Sequence, residues 1–149
     1  MAASENSVVI VAAARTPVGS FNGALASLSA AQLGTVALKA AMGRAKVEAG
    51  EGGEVIMGQI LAAGQGQNPA RQASVNAGIP VESPAWGVNQ LCGSGLRAVA
   101  LGLQQIALPH QVEVMGGAID QFAMQRFLTG KPHAAVRWQH FGHAAIGKA

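Results

Sequence analysis

Asn89-Gln90-Leu91-Cys92-Gly93-Ser94-Gly95-Leu96 marks a change of period, from an extended run to a helical one. Upstream, residues 85–91 read as a strand with Trp86, Val88 and Leu91 as its apolar anchors. Downstream, Leu96, Val99, Ala100 and Leu103 fall at i, i+3, i+4 and i+7, the spacing of one helix face. Gly93 and Gly95 permit a tight turn and a close backbone approach between the two. This order puts Cys92, the chain's only cysteine, at or just before a helix N-terminus. Helix N–H groups without helical partners, and the dipole they end, favour an anion there. Such a setting suits a reactive thiolate. A lone cysteine is also commonly a small buried hydrophobe, and the position by itself leaves both readings open.

Working outward, Val8 to Ala14 is the longest uninterrupted apolar run, and Arg15-Thr16-Pro17 ends it. It falls far short of the ~18 residues that span a membrane and reads as a strand buried on both faces. Gly19 to Gly23 is loop, with Phe21 as an anchor. Ser29 followed by Gln32 is a capping box. It opens a helix in which Leu33, Val36, Ala37, Ala40 and Arg44 keep a 3–4 spacing, closed by Ala49-Gly50-Glu51-Gly52-Gly53. Glu54 to Leu61 reads as a second strand. After the loop Gly64 to Asn68, Pro69 suits the first turn of a short helix ending near Asn76, with Gly78 as its stop. The helix after Cys92 runs to about Ala107, where Pro109 ends it, and Val112 to Met115 with Gly116-Gly117 reads as a fourth strand. Strands alternating with helices imply an α/β class, a mostly parallel or mixed sheet with helices on its faces. Four such units make half of a layered α/β/α domain, which leaves an edge strand and an apolar helix face uncovered.

The chain of 149 residues is 50% hydrophobic and only 11% charged. An ordinary domain carries about 25% charged residues, so much of this surface is expected to be covered by more chain or by a partner. Residues 1–120 hold six Lys/Arg against seven Asp/Glu, a balance of −1. Residues 121–149 hold Arg126, Lys131, Arg137 and Lys148 and no acidic residue. The net charge of +3 therefore belongs to the tail and argues for neither nucleic-acid nor membrane binding by the body. One cysteine suits a reducing compartment. Met1 to Ser7 has no Lys or Arg and no apolar core, so neither a secretory signal nor an Arg-rich transit peptide is read there, and a cytoplasmic location is expected.

Two tempting motifs carry little. Gly64-Gln65-Gly66-Gln67 lacks both the dinucleotide fingerprint and the P-loop spacing. His133, His140 and His143 invite a zinc reading, but no carboxylate or cysteine accompanies them, and a basic tail is the simpler reading.

Four stretches together carry a family resemblance. Val8-Val9-Ile10-Val11-Ala12-Ala13-Ala14-Arg15-Thr16-Pro17 with Gly19-Ser20-Phe21-Asn22-Gly23 resembles the opening of a thiolase. Gly64-Gln65-Gly66-Gln67-Asn68-Pro69-Ala70-Arg71-Gln72-Ala73 is similar to the thiolase loop and helix after the second strand. Asn89 to Ala98 resembles the thiolase nucleophile signature, and Gly116-Gly117 the next landmark. The resemblance spans about residues 7–118 and is strongest to the acetyl-CoA acetyltransferase (acetoacetyl-CoA thiolase) branch. Ketoacyl synthases share the fold and a cysteine nucleophile, but Asn68-Pro69-Ala70-Arg71-Gln72 and Cys92-Gly93-Ser94-Gly95 favour thiolase.

The resemblance implies that Cys92 attacks an acyl-CoA thioester and becomes acylated, with its backbone N–H as one arm of an oxyanion hole. A second acetyl-CoA then takes the acyl group. No metal or redox cofactor is implied; coenzyme A is the substrate's carrier. The family also uses an Asn within Asn-Glu-Ala-Phe, a His within Gly-His-Pro and a second Cys, all from its C-terminal half. Here Gly142-His143-Ala144 is not Gly-His-Pro, and no second cysteine occurs. Residues 1–120 are thus expected to be a partial thiolase N-terminal domain, and residues 121–149 a divergent, poorly ordered basic tail. The expected function is acyl transfer between acetyl-CoA units, impaired in this chain alone. The alternative is a non-catalytic fragment that associates with a full-length thiolase subunit; the expected partners are an acyl-CoA and copies of itself or other thiolase subunits.

Overall fold

Strand β2, Glu54–Gly58, carries the core on both of its faces. A strand alternates its side chains, so Val55 and Met57 point one way and Ile56 the other. All three are fully buried. Val55 and Met57 pack with Leu38 and Met42 of helix α1 (Ala30–Ala45) and with Ala70, Ala73 and Ala77 of α2 (Pro69–Ala77). Ile56 packs with Ala98 and Ile106 of α3 (Ser94–Ala107), joined by Trp86 and Val88 of β3 (Ala85–Val88). The result is a three-layer α/β/α arrangement, the class the sequence pattern predicts.

A computed structural model of the chain describes residues 8–107, 114–118 and 143–148. The sheet is completed by β1 (Val8–Ala14), β4 (Val114–Ala118) and β5 (His143–Lys148), in the order β1-β5-β4-β2-β3. β2 runs parallel to β3 and β4, whereas β5 is antiparallel to both β1 and β4. Gly58 pairs with Val88 on one side and Ala118 on the other, so the C-terminal ends of β2, β3 and β4 lie level.

The local signals behave as the chemistry dictates. Gln32 N–H donates to the Ser29 hydroxyl at 3.2 Å and Ser29 N–H to the Gln32 side-chain carbonyl at 2.8 Å, closing the capping box. Pro69 opens α2 behind an Asn68 cap, and Gly78 ends it with φ of 95°.

Two expectations are corrected. β1 is an edge strand rather than a doubly buried one: Ile10 and Val11 are exposed, and its register slips between Ile10 and Ala12. The helix faces are turned from those expected. In α1, Val36 and Ala40 face outward while Ala30, Leu33, Ala37, Leu38 and Ala41 are buried. In α3, Leu96 and Leu103 are exposed, and the buried stripe is Ser94, Gly95, Ala98 and Gly102, small residues that let the helix approach the sheet, continued by Ile106. His143–Lys148, within residues 121–149, forms β5. Pro109, Val112, His133, His140 and the stretch 119–142 lie outside the described residues.

The Ser74 hydroxyl of α2 is fully buried and has no hydrogen-bond partner among the described residues. A buried, unpaired hydroxyl costs free energy that its removal returns. Ser74→Ala is therefore expected to leave stability unchanged or raise it by about 1 kcal/mol, read as the midpoint of urea unfolding.

Candidate active site

Ligand sites of open α/β sheets lie outside the carboxyl ends of the parallel strands. Cys92 occupies that position, four residues past the end of β3 and two before the start of α3, and it is exposed. The strand ends sooner than the sequence suggests, and its physical cause is local. The Asn89 side-chain carbonyl accepts from Leu91 N–H at 3.0 Å, a turn that competes with the sheet ladder. Leu91, expected as a strand anchor, is instead 68% exposed with φ of 48°. That left-handed conformation costs a non-glycine residue roughly 1–2 kcal/mol.

The turn is held from several sides. Gly93 N–H donates to the Gln90 carbonyl at 3.0 Å and Ser94 N–H to the Leu91 carbonyl at 3.0 Å. The Ser94 hydroxyl accepts from Gln90 N–H at 2.9 Å and donates to the Leu91 carbonyl at 2.6 Å. The first bond of α3 runs from Arg97 N–H to the Gly93 carbonyl at 2.8 Å. So the N–H groups of Gly93 and Ser94, at the start of α3, are used inside the turn.

Below the turn, the end of β2 supplies the seat. Gly58 is buried, and a Cβ there would stand 2.5 Å from Gly95 N and 2.7 Å from the Ser94 carbonyl oxygen. Only a glycine lets α3 begin this close to the sheet. Gln59 N–H donates to the Val88 carbonyl at 2.9 Å, and the Asn89 side-chain amide donates to the Ile60 carbonyl at 3.1 Å. The segments leaving β2 and β3 are thereby stitched together beneath Cys92.

The segment 64–72 has a structural task. Gln72 Nε2 donates to the carbonyls of Gln65 at 3.0 Å and Gln67 at 2.8 Å, so the loop is closed by its own helix rather than cupped around a phosphate. Arg71 grips the carbonyls of Ser83 and Val81, and Asn68 Nδ2 that of Ala85 at 2.9 Å. These bonds fix the chain entering β3, the strand that delivers Cys92. Sequence reading singled out Cys92 but missed Gly58, Asn89 and Ser94. A glycine closing an apolar strand and an Asn two residues before a bend are the signals that mark two of them. Among the described residues no group of three or more His, Cys, Asp or Glu is placed to hold a metal ion, and no helix is long and apolar enough to cross a membrane.

A cysteine on a tight turn before a helix, at the carboxyl edge of parallel strands in an α/β/α stack, agrees with the comparison of this chain with known families: residues 8–131 match the thiolase N-terminal domain, and the chain belongs to the thiolase family. It is 56% identical over 132 residues to an acetyl-CoA acetyltransferase of Rhizobium meliloti (strain 1021), a match covering 89% of this chain and 32% of that protein. It is 49% identical over 129 residues to the cytosolic acetyl-CoA acetyltransferase of Mus musculus, covering 87% of this chain and 32% of the relative. A thiolase of Ascaris suum, solved in complex with coenzyme A, superposes with a TM-score of 0.71 at 39% identity, over 73% of this chain and 28% of that one. The chain thus spans about a third of the length of the curated relatives it matches.

Proposed function

We propose that this chain supplies the nucleophile half of an acetyl-CoA acetyltransferase. The observation that carries the reading is the placement of Cys92, exposed on a braced turn at the carboxyl edge of the sheet. The Cys92 thiolate attacks the carbonyl carbon of acetyl-CoA. The new bond joins Cys92 Sγ to the acetyl carbon, the carbon–sulfur bond to coenzyme A breaks, and the departing thiolate takes up a proton. The Cys92 backbone N–H is proposed as one donor to the oxyanion that forms on the way. Passing the acetyl group to a second acetyl-CoA requires a base to remove an α-proton, and each such group is worth about 10²–10⁴-fold. The family's His and second Cys have no counterpart in these 149 residues, so turnover by this chain alone is proposed to be impaired.

The alternative, a non-catalytic piece that associates with a full-length thiolase subunit, is supported by the exposed Leu96 and Leu103 on α3. Copies of itself are the other proposed partner, and the single cysteine and the cytosolic mouse relative support a cytoplasmic location.

Rapid mixing with acetyl-CoA separates the readings. Release of coenzyme A thiol in a burst of one equivalent per chain, followed by little further release, is expected. Absence of a burst favours the non-catalytic reading, and sustained turnover contradicts the impairment.

A further inference from the structure

Leu91 is the strained residue of the turn, and both of its backbone groups are taken by side chains. Asn89 accepts from its N–H, and Ser94 donates to its carbonyl while also accepting from Gln90 N–H. Ser94 is 3% exposed, lies on the buried stripe of α3, and its backbone packs on Gly58. Its hydroxyl therefore sits at a fixed point of the core and reaches back to the residue immediately before the nucleophile. Nothing in the strand or the helix by itself would keep a leucine left-handed, since that conformation is paid for only by contacts that exist when it is adopted.

We propose that Ser94 is a positioning residue: it holds Leu91 in the left-handed conformation and thereby sets the line along which Cys92 meets an acyl thioester. The inference rests on the acyl-acceptor reading of Cys92. Its chemical logic is that acyl transfer demands a defined approach of sulfur to carbonyl carbon, whereas alkylation by a small reagent does not. Losing Ser94 should harm the first far more than the second. Glycine adopts positive φ without strain, so a glycine at 91 should make Ser94 dispensable.

The test is a cycle of the wild type, Ser94→Ala, Leu91→Gly and the double variant, each followed by melting temperature, by acetylation of Cys92 from acetyl-CoA and by iodoacetamide alkylation. Ser94→Ala is expected to melt about 5 °C lower and to acetylate about tenfold more slowly, with alkylation within about twofold of wild type. Leu91→Gly in the same background is expected to restore both melting temperature and acetylation. Wild-type acetylation in Ser94→Ala, or a Leu91→Gly effect on melting that is the same with and without Ser94, overturns the proposal. If the wild type takes no acetyl group, the acyl-acceptor reading fails, while the melting cycle still decides whether Ser94 holds Leu91. Should Ser94→Ala not fold, a folded double variant supports the proposal and an unfolded one overturns it.

Discussion

Gly58→Ala is expected to destabilise the chain by about 3 kcal/mol or more, the upper end of what overpacking costs. The added methyl group would meet backbone atoms of Ser94 and Gly95, which cannot rotate away as a flexible side chain could. Either the start of α3 moves off the sheet or β2 bends, and both displace the Cys92 turn. A misplacement of about 1 Å at a reacting group is worth about 10²-fold in rate. The variant should therefore lose acetyl uptake even under conditions where it still folds. Gly43→Ala provides the contrast. Gly43 lies on the exposed face of α1 with open space where a Cβ would stand. There the same substitution should stabilise by about 0.5–1 kcal/mol through helix propensity. Urea unfolding of the two variants side by side checks both values; a Gly58→Ala chain as stable as the wild type would mean that α3 does not start where the structure puts it.

Cys92→Ser is expected to abolish the coenzyme A burst while leaving the fold intact. A serine hydroxyl is nearly the size of a thiol but is a far weaker nucleophile without an adjacent base. The side chain is exposed, so the core loses nothing. Substitutions at exposed surface positions usually fall within about 0.5 kcal/mol of neutral. An unchanged melting temperature with no burst is the expected pair of results. A burst that survives the substitution would place the acyl acceptor elsewhere in the chain.

Much of this architecture is legible in the sequence because it is local. The Ser29 and Gln32 box, Pro69 at the start of α2 and Gly78 at its end each act within a few residues, and each forms as written. The switch from strand to helix around Cys92 forms too, with the strand ending at Val88 instead of Leu91. What the sequence conceals depends on long-range geometry. Hydropathy alone assigns the apolar face of α3 to Leu96 and Leu103, because it ranks leucine above glycine. The sheet selects a face turned from it, where Gly95, Ala98 and Gly102 are small enough to sit on β2 while Val99 still packs against the core. β5 is short, alanine-rich and bounded by Gly142, so nothing within it announces a strand; pairing with β1 and β4 makes it one. The site divides in the same way. Cys92 stands out by its residue type and setting, whereas Gly58 and Ser94 matter only because one backbone rests on the other.

Peptide mapping after brief exposure to acetyl-CoA tests the central claim most directly. Purified wild-type chain is digested under mildly acidic conditions that preserve thioesters, and the peptide carrying Cys92 is sequenced by mass spectrometry. An acetyl group on Cys92, removed when free coenzyme A is added, is the predicted result. Cys92 left unmodified while acetyl-CoA remains intact would contradict it.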